Sequence, residues 1–381
     1  MERHCRGFSC PFEPLSEEFL DTLAGGYARE VVQRFVTRYA RRIDQQTFGV
    51  VPMITGWVGE EHTFATVWDI IFGSLRTSLG ATESSEITEL AVSLALRLNE
   101  CGLASCWEAQ LDSPARFRIG RFLLPAIDNL QITANGTQMY LRIYRGRSKK
   151  QIVFPQPLKD ESRIEGADSL TATSAGQGRF IILTREALRS VQFADISLDV
   201  DTRRHNSIAG PLEKTVATIE EFAPNYLSWV SRIVRYIIPL KSKAKRLISS
   251  SHFSMPGVVC ISNQRNPTDL AEMLIHEGTH QYLYLLRRLG PVDDGSDKAL
   301  YYSPVRGTKR PIGAIVAAYH AVGNVILFCR ECPAVAGLWP RERETSLVSL
   351  IGPLEEALHR TQSLTPLGDA LWKPLYGRLH K

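Results

Sequence analysis

Four short β-type runs sit between two long stretches of helical periodicity, and this alternation limits the chain to an α+β architecture. The runs are Phe117–Leu124, Gln138–Tyr144, Gln151–Phe154 and Arg179–Leu183, separated by turn signals that include Asn135-Gly136. Before them, apolar residues recur at helical spacing from Ser16 to about Arg42 (Phe19, Leu20, Leu23, Tyr27, Val31, Val32, Phe35, Tyr39). A second helical stretch runs from about Glu86 to Asn99, with Ser84 and Ser85 as caps. Helical character returns from about Leu212, with a break at Pro239 and the basic run after it, which carries Lys241, Lys243, Lys245 and Arg246. Residues 155–178 are polar with Gly, Ser and Pro, and read as a surface loop. The expected organisation is a helical region over 1–110, a β-rich region over 111–205 built as an antiparallel sheet, and a helical metal-binding region over 206–381, packed as one compact unit.

Composition removes several classes of function. With 44% hydrophobic and 22% charged residues in 381, the chain is long enough for a large core and is neither disordered nor fibrous. Its net charge of +5 is spread along the sequence without a basic stripe or tail, so no nucleic-acid partner is expected. Seven irregularly spaced cysteines argue for a reducing compartment, and the first residues lack the apolar core of a secretory signal; a cytoplasmic protein is expected. Cys5 and Cys10 fall in a terminus expected to fray, and the Cys329/Cys332 pair reads as ordinary cysteines. Residues 311–329 carry no formal charge, close to the roughly 20 that span a bilayer. His320 and Asn324 near the centre would be exposed to lipid, so a buried core helix is expected and no membrane partner.

Chemistry concentrates in residues 266–283. Asn266 suits an N-cap, Pro267 the first helical position and Asp269 the positive helix end, with Gly290-Pro291 as the stop. The helix of about 22 residues so defined contains His276-Glu277-x-x-His280. Positions four apart on a helix share one face, so both imidazoles can reach one metal ion, with Glu277 beside them able to orient a ligand or act as a base. The third ligand decides the chemistry. An extended zinc-protease motif is absent, because Leu283 and Leu286 stand where it needs glycine and histidine. Asp293, Asp294, Asp297 and Glu331 read as solvated charge. His320, flanked by Ala317, Ala318, Ala321 and Gly323 that admit a close helix neighbour, is the better third ligand. Three histidines leave positions open on the metal, a set that suits non-haem iron(II) as well as zinc.

Two linked blocks, LAEMLIHEGTHQYLYLL and YYSPVRGTKRPIGAIVAAYH, resemble the HExxH-motif proteins associated with ribosomally made, modified peptides, over about residues 270 to 328. Tyr301, Tyr302, Ser303, Pro304, Arg306, Arg310, Pro311 and His320 match the family pattern, and Val305 replaces its usual tryptophan, a departure that leaves the cationic and metal positions in place. The resemblance implies an iron(II)/2-oxoglutarate-dependent oxygenase that hydroxylates a precursor peptide at a β-carbon. His276, His280 and His320 would hold the metal, and Glu277 would orient a ligand or substrate. Arg306 or Arg310, with the Ser303 hydroxyl, would bind the distal carboxylate of 2-oxoglutarate, since a guanidinium can grip a carboxylate through two parallel hydrogen bonds. The alternative is a zinc-dependent metallopeptidase in which Glu277 is the general base for a metal-bound water.

Overall fold

The computed structural model of the chain describes residues 2–59, 68–158, 164, 171–172, 174–176, 178–183, 205–241, 248–262, 266–331 and 341–381. Helix α1 (Glu17–Ile43) begins where Ser16 Oγ accepts the Phe19 amide, with Glu17 and Glu18 in the first turn, and it buries the predicted stripe from Leu20 to Tyr39. Helices α2 (Val50–Gly59), α3 (Ile70–Thr77) and α4 (Ser84–Glu100) complete the first helical part. Ser84 and Ser85 are not caps: they lie inside α4, whose N-cap Glu83 makes no side-chain hydrogen bond.

The antiparallel sheet is present, with strand order β1 (Thr47–Phe48), β2 (Ser105–Ala115), β5 (Ile127–Ala134), β6 (Gln138–Arg145) and β7 (Ser148–Pro155). The β5–β6 turn works as its sequence requires. Gly136 adopts φ +87°, and Asn135 Oδ1 accepts the amides of Thr137 and Gln138. Phe117–Leu124 resolves into the short strands β3 (Arg118–Ile119) and β4 (Phe122–Leu123), which pair with β8 (Thr171–Ala172).

Two expectations need correction here. The segment read as a loop contributes β8 and, next to it, β9 (Ser174–Ala175). The region after Leu212 is not all helical. Between α5 (His205–Phe222), α6 (Pro224–Ile233) and α7 (Pro267–Leu286) lie β11 (Tyr236–Leu240), β12 (Ser249–Ser250) and β13 (Val258–Ser262), which join β9 and β10 (Phe180–Ile182) in a mixed sheet of order β12-β13-β11-β10-β9. Both β11 and β13 are buried along their whole length and run parallel, so their sequences show no alternation to mark them as strands. Pro239 sits within β11. Ile237 O accepts the Leu183 amide, so Pro239, two residues on, turns its missing N–H to the side where β10 has ended. Of the basic run, Lys243, Lys245 and Arg246 lie outside the described residues, as does Cys332.

Among the described residues, the last part combines helices with one hairpin. It contains β14 (Tyr301–Ser303) and β15 (Thr308–Arg310), then α8 (Ile312–Glu331), α9 (Arg341–Arg360) and α10 (Pro366–Leu379). Ile312–Arg330 is the one stretch among the described residues long and apolar enough to cross a membrane, and 78% of it is buried inside the protein. The N-terminus does not fray. Cys5, Phe8 and Cys10 are fully buried in an apolar cluster that extends to Leu379, because the turn Arg6–Phe8 is wedged between α7 and α10.

Candidate functional site

Helix α7 starts as its sequence requires, with Asn266 Oδ1 accepting the Thr268 amide and Pro267 in the first turn. It is then fixed on three sides. Gln281 is completely used: its Oε1 accepts Trp68 Nε1 and the Gly257 amide, and its Nε2 donates to the carbonyls of Met255 and Val258. Tyr282 stacks on Trp229 with centroids 4.1 Å apart and donates to the Trp229 carbonyl. Gly278 lets α6 close in, since a Cβ there would lie 3.1 Å from Val230 Cγ1. From Leu270 to Leu286 the helix is buried except for a stripe of half-buried residues, His276, His280 and Tyr284, which recurs every fourth position and forms its open face. The His276 and His280 rings are 4.9 Å apart and nearly perpendicular, and His280 stacks on Tyr284.

Glu277 lies deeper than that stripe, on the side of the helix that meets the end of β12. It is 3% exposed, and Ser251 Oγ, just beyond β12, donates to its Oε2 at 2.7 Å. Tyr284 Oη donates to the Ser251 carbonyl, so the same residue ties both ends of this helix face to the edge of the mixed sheet. Burial, followed by the nearby Glu277 charge, pushes the Cys260 thiol up to about 12.

His320 comes from α8 and is fully buried. Its Nε2 lies 2.9 Å from the carbonyl oxygens of both Phe8 and Ser9. Carbonyls only accept, so Nε2 carries the proton and Nδ1 keeps its lone pair. That Nδ1 is buried without a partner, and so is Nδ1 of His280. Burial, then the neighbouring His280, pushes the His320 pKa down to about 3. Burial, then His276, pushes His280 down to about 4, with Glu277 opposing and Arg306 adding to the fall. Both imidazoles are therefore neutral at pH 7, the state in which histidine binds a metal.

Of the predicted second block, the hairpin β14–β15 places Ser303 with its Oγ buried and unpartnered. Its turn is closed by the Arg306 and Gly307 amides donating to the Ser303 carbonyl, with Gly307 at φ +67°. Arg306 is exposed on this turn, and its charge is felt by His280. Arg310 lies at the other end of the hairpin, opposite Tyr301, and no interaction among the described residues joins it to the histidines. The acidic loop is committed elsewhere: Asp297 accepts Tyr301 Oη and Thr361 Oγ1, which hold its carboxyl below the usual range, and Asp293 accepts the Gly295 amide. Gly323, one of the small residues beside His320, admits α10. A Cβ there would lie 2.8 Å from Leu375 Cδ2.

No protein-family model matches the chain, and no curated protein matches it.

Among the described residues, no group of three or more His, Cys, Asp or Glu side chains is gathered to hold a metal ion as it stands. The donor chemistry nevertheless fits one. Two neutral imidazoles on separate helices each present an unpartnered buried nitrogen, and His276 stands one turn from His280. His320 is fixed by its carbonyl partners, and His276 and His280 line the half-open face of α7. Sequence reasoning missed Ser251, Gln281 and the Phe8 and Ser9 carbonyls. Only Asn324, a polar residue one turn beyond His320 in a stretch without formal charge, gave a signal; it donates to the Ser9 carbonyl.

Proposed function

We propose that this chain is an iron(II)/2-oxoglutarate-dependent oxygenase of the cytoplasm that hydroxylates a residue, at its β-carbon, in a ribosomally made precursor peptide. The observation that carries the reading is the pair of desolvated, neutral imidazoles with unpartnered nitrogens, His280 on α7 and His320 on α8. His276, His280 and His320 hold the metal, leaving positions open for a chelating cosubstrate. When bound, iron with 2-oxoglutarate and oxygen supplies the oxidising power: one oxygen atom enters the peptide C–H bond, the other enters succinate, and carbon dioxide leaves. Arg306 binds the distal carboxylate, since it is the arginine near His280, and the buried Ser303 hydroxyl donates the hydrogen bond it otherwise lacks. Glu277, tied to Ser251, holds this face of α7 against the sheet and is an orienting group in this reading.

The test is incubation of the iron-loaded protein with 2-oxoglutarate, oxygen and a precursor peptide encoded beside it. Succinate should appear together with peptide heavier by one oxygen atom, and His320→Gln should abolish both. Absence of succinate with every such peptide would overturn the proposal. Cleavage of peptide without oxygen, lost in Glu277→Gln, would replace it with the zinc peptidase reading.

A further inference from the structure

Resting on the metal-site reading, we propose that the N-terminal segment Gly7–Ser9 is a working part of the site and that Asn324 is its positioning residue. Together they hold His320 in the Nε2–H tautomer, so that Nδ1 is the atom offered to the metal.

The segment is far from α8 in sequence and fixed to the fold at every residue. Trp229 Nε1 donates to the Gly7 carbonyl at 3.1 Å, and Gly7 itself leaves no room for a side chain, since a Cβ would lie 2.5 Å from Leu15 Cα. Phe8 is buried edge-on against Tyr282 of α7, with centroids 5.7 Å apart. Ser9 is buried, and its hydroxyl donates to the Leu371 carbonyl of α10. The carbonyls of Phe8 and Ser9 are thereby aimed at α8 by contacts with α6, α7 and α10. Asn324 completes the arrangement: its Nδ2 donates to the Ser9 carbonyl at 2.8 Å and to the His320 carbonyl at 2.9 Å, while Tyr226 Oη donates to the Asn324 carbonyl at 2.9 Å.

The other tautomer is excluded twice. With the proton on Nδ1, the Nε2 lone pair would face two carbonyl oxygens, and a buried N–H would have no acceptor. A metal-binding histidine whose second nitrogen donates to a carbonyl is oriented and made more basic by that bond, and loss of such a partner weakens binding 10- to 100-fold as an order of magnitude. The segment therefore presets a buried lone pair, leaving the His276–His280 pair to complete the coordination.

The experiment has two readouts on the full chain. In metal-free wild-type protein labelled with ¹⁵N-histidine, long-range ¹H–¹⁵N correlation near neutral pH should show His320, assigned by its loss in His320→Gln, protonated at Nε2 and bare at Nδ1. Anaerobic calorimetric titration with iron(II) alone should give one site per chain, weakened roughly tenfold or more in Asn324→Ala, with restoration in part by Asn324→Gln. If wild type takes up no iron, the metal reading falls and this proposal falls with it. If iron binds but His320 is protonated at Nδ1, or Asn324→Ala is folded by circular dichroism and binds iron as tightly as wild type, this proposal alone is overturned. Because the tautomer is read on wild-type protein, a variant that fails to fold does not protect it.

Discussion

A histidine that burial keeps neutral makes folding sensitive to acid, and His280 and His320 are two such groups. In the unfolded chain each takes a proton near pH 6.5, whereas in the fold they resist protonation to about 4 and about 3. Below pH 6.5 the unfolded state therefore binds the extra protons. Stability is complete above that value and falls as pH drops, by at most about 1.4 kcal/mol per pH unit for each histidine. His280, being partly exposed, contributes less than His320. Urea denaturation of metal-free protein between pH 7 and 4.5 should show this loss, and His320→Gln, which keeps a donor for the carbonyls, should flatten the slope by close to one proton. An identical slope in wild type and variant would contradict the burial assigned to His320.

At the scale of elements, the site is as rigid as the helices that carry it. Helix α7 is locked by Gln281, whose replacement by Leu would strand Trp68 Nε1 and the Gly257 amide without their acceptor and take a donor from the Val258 carbonyl, while the Met255 carbonyl keeps the Val258 amide. At roughly 1–3 kcal/mol for each buried group left unsatisfied, we expect Gln281→Leu to lower unfolding free energy by about 3 kcal/mol, measured by chemical denaturation. A change under about 1 kcal/mol would mean that water replaces the lost bonds. Helix α8 depends on Gly323, where α10 presses Leu375 and Leu379 against its backbone. Gly323→Val should push α8 and α10 apart, at a cost of about 1–3 kcal/mol. Because His320 lies one turn away, iron affinity should fall in parallel; a destabilised variant with unchanged affinity would show that α8 keeps its seat on α7 independently of α10.

Across the whole molecule, a buried charge cluster joins the first helical part to the mixed sheet. Asp69, which caps α3, accepts Arg97 Nε of α4 at 3.0 Å and Tyr236 Oη of β11 at 2.8 Å. Glu100, at the end of α4, accepts Arg97 at 2.8 Å, Arg235 at 3.4 Å and the Gly120 amide at 2.6 Å. Removing one partner of such a cluster leaves buried charge uncompensated, which costs about 3–5 kcal/mol. Asp69→Asn should accordingly lower the thermal midpoint by several degrees, and it should do so in the mixed sheet as well as the first helices. Hydrogen exchange confined to α3 and α4 would show that the cluster is local.

The elements with strong local periodicity, α1, α7, α8, β6 and β7, are legible in the residues, and so is the pairing of His276 with His280, because spacing along a helix is a local property. The strands β11 and β13 are not, since YIIPL and VVCIS are buried on both faces and lack the alternation that separates a strand from a helical segment. The sequence likewise offers Arg306 and Arg310 on equal terms, and only the hairpin puts one of them near His280. The partners of His320 are the least legible of all. They are main-chain carbonyls more than three hundred residues away, and a carbonyl is chemically the same at every position, so nothing but the packing of the N-terminal turn between α7 and α10 decides which ones meet the imidazole.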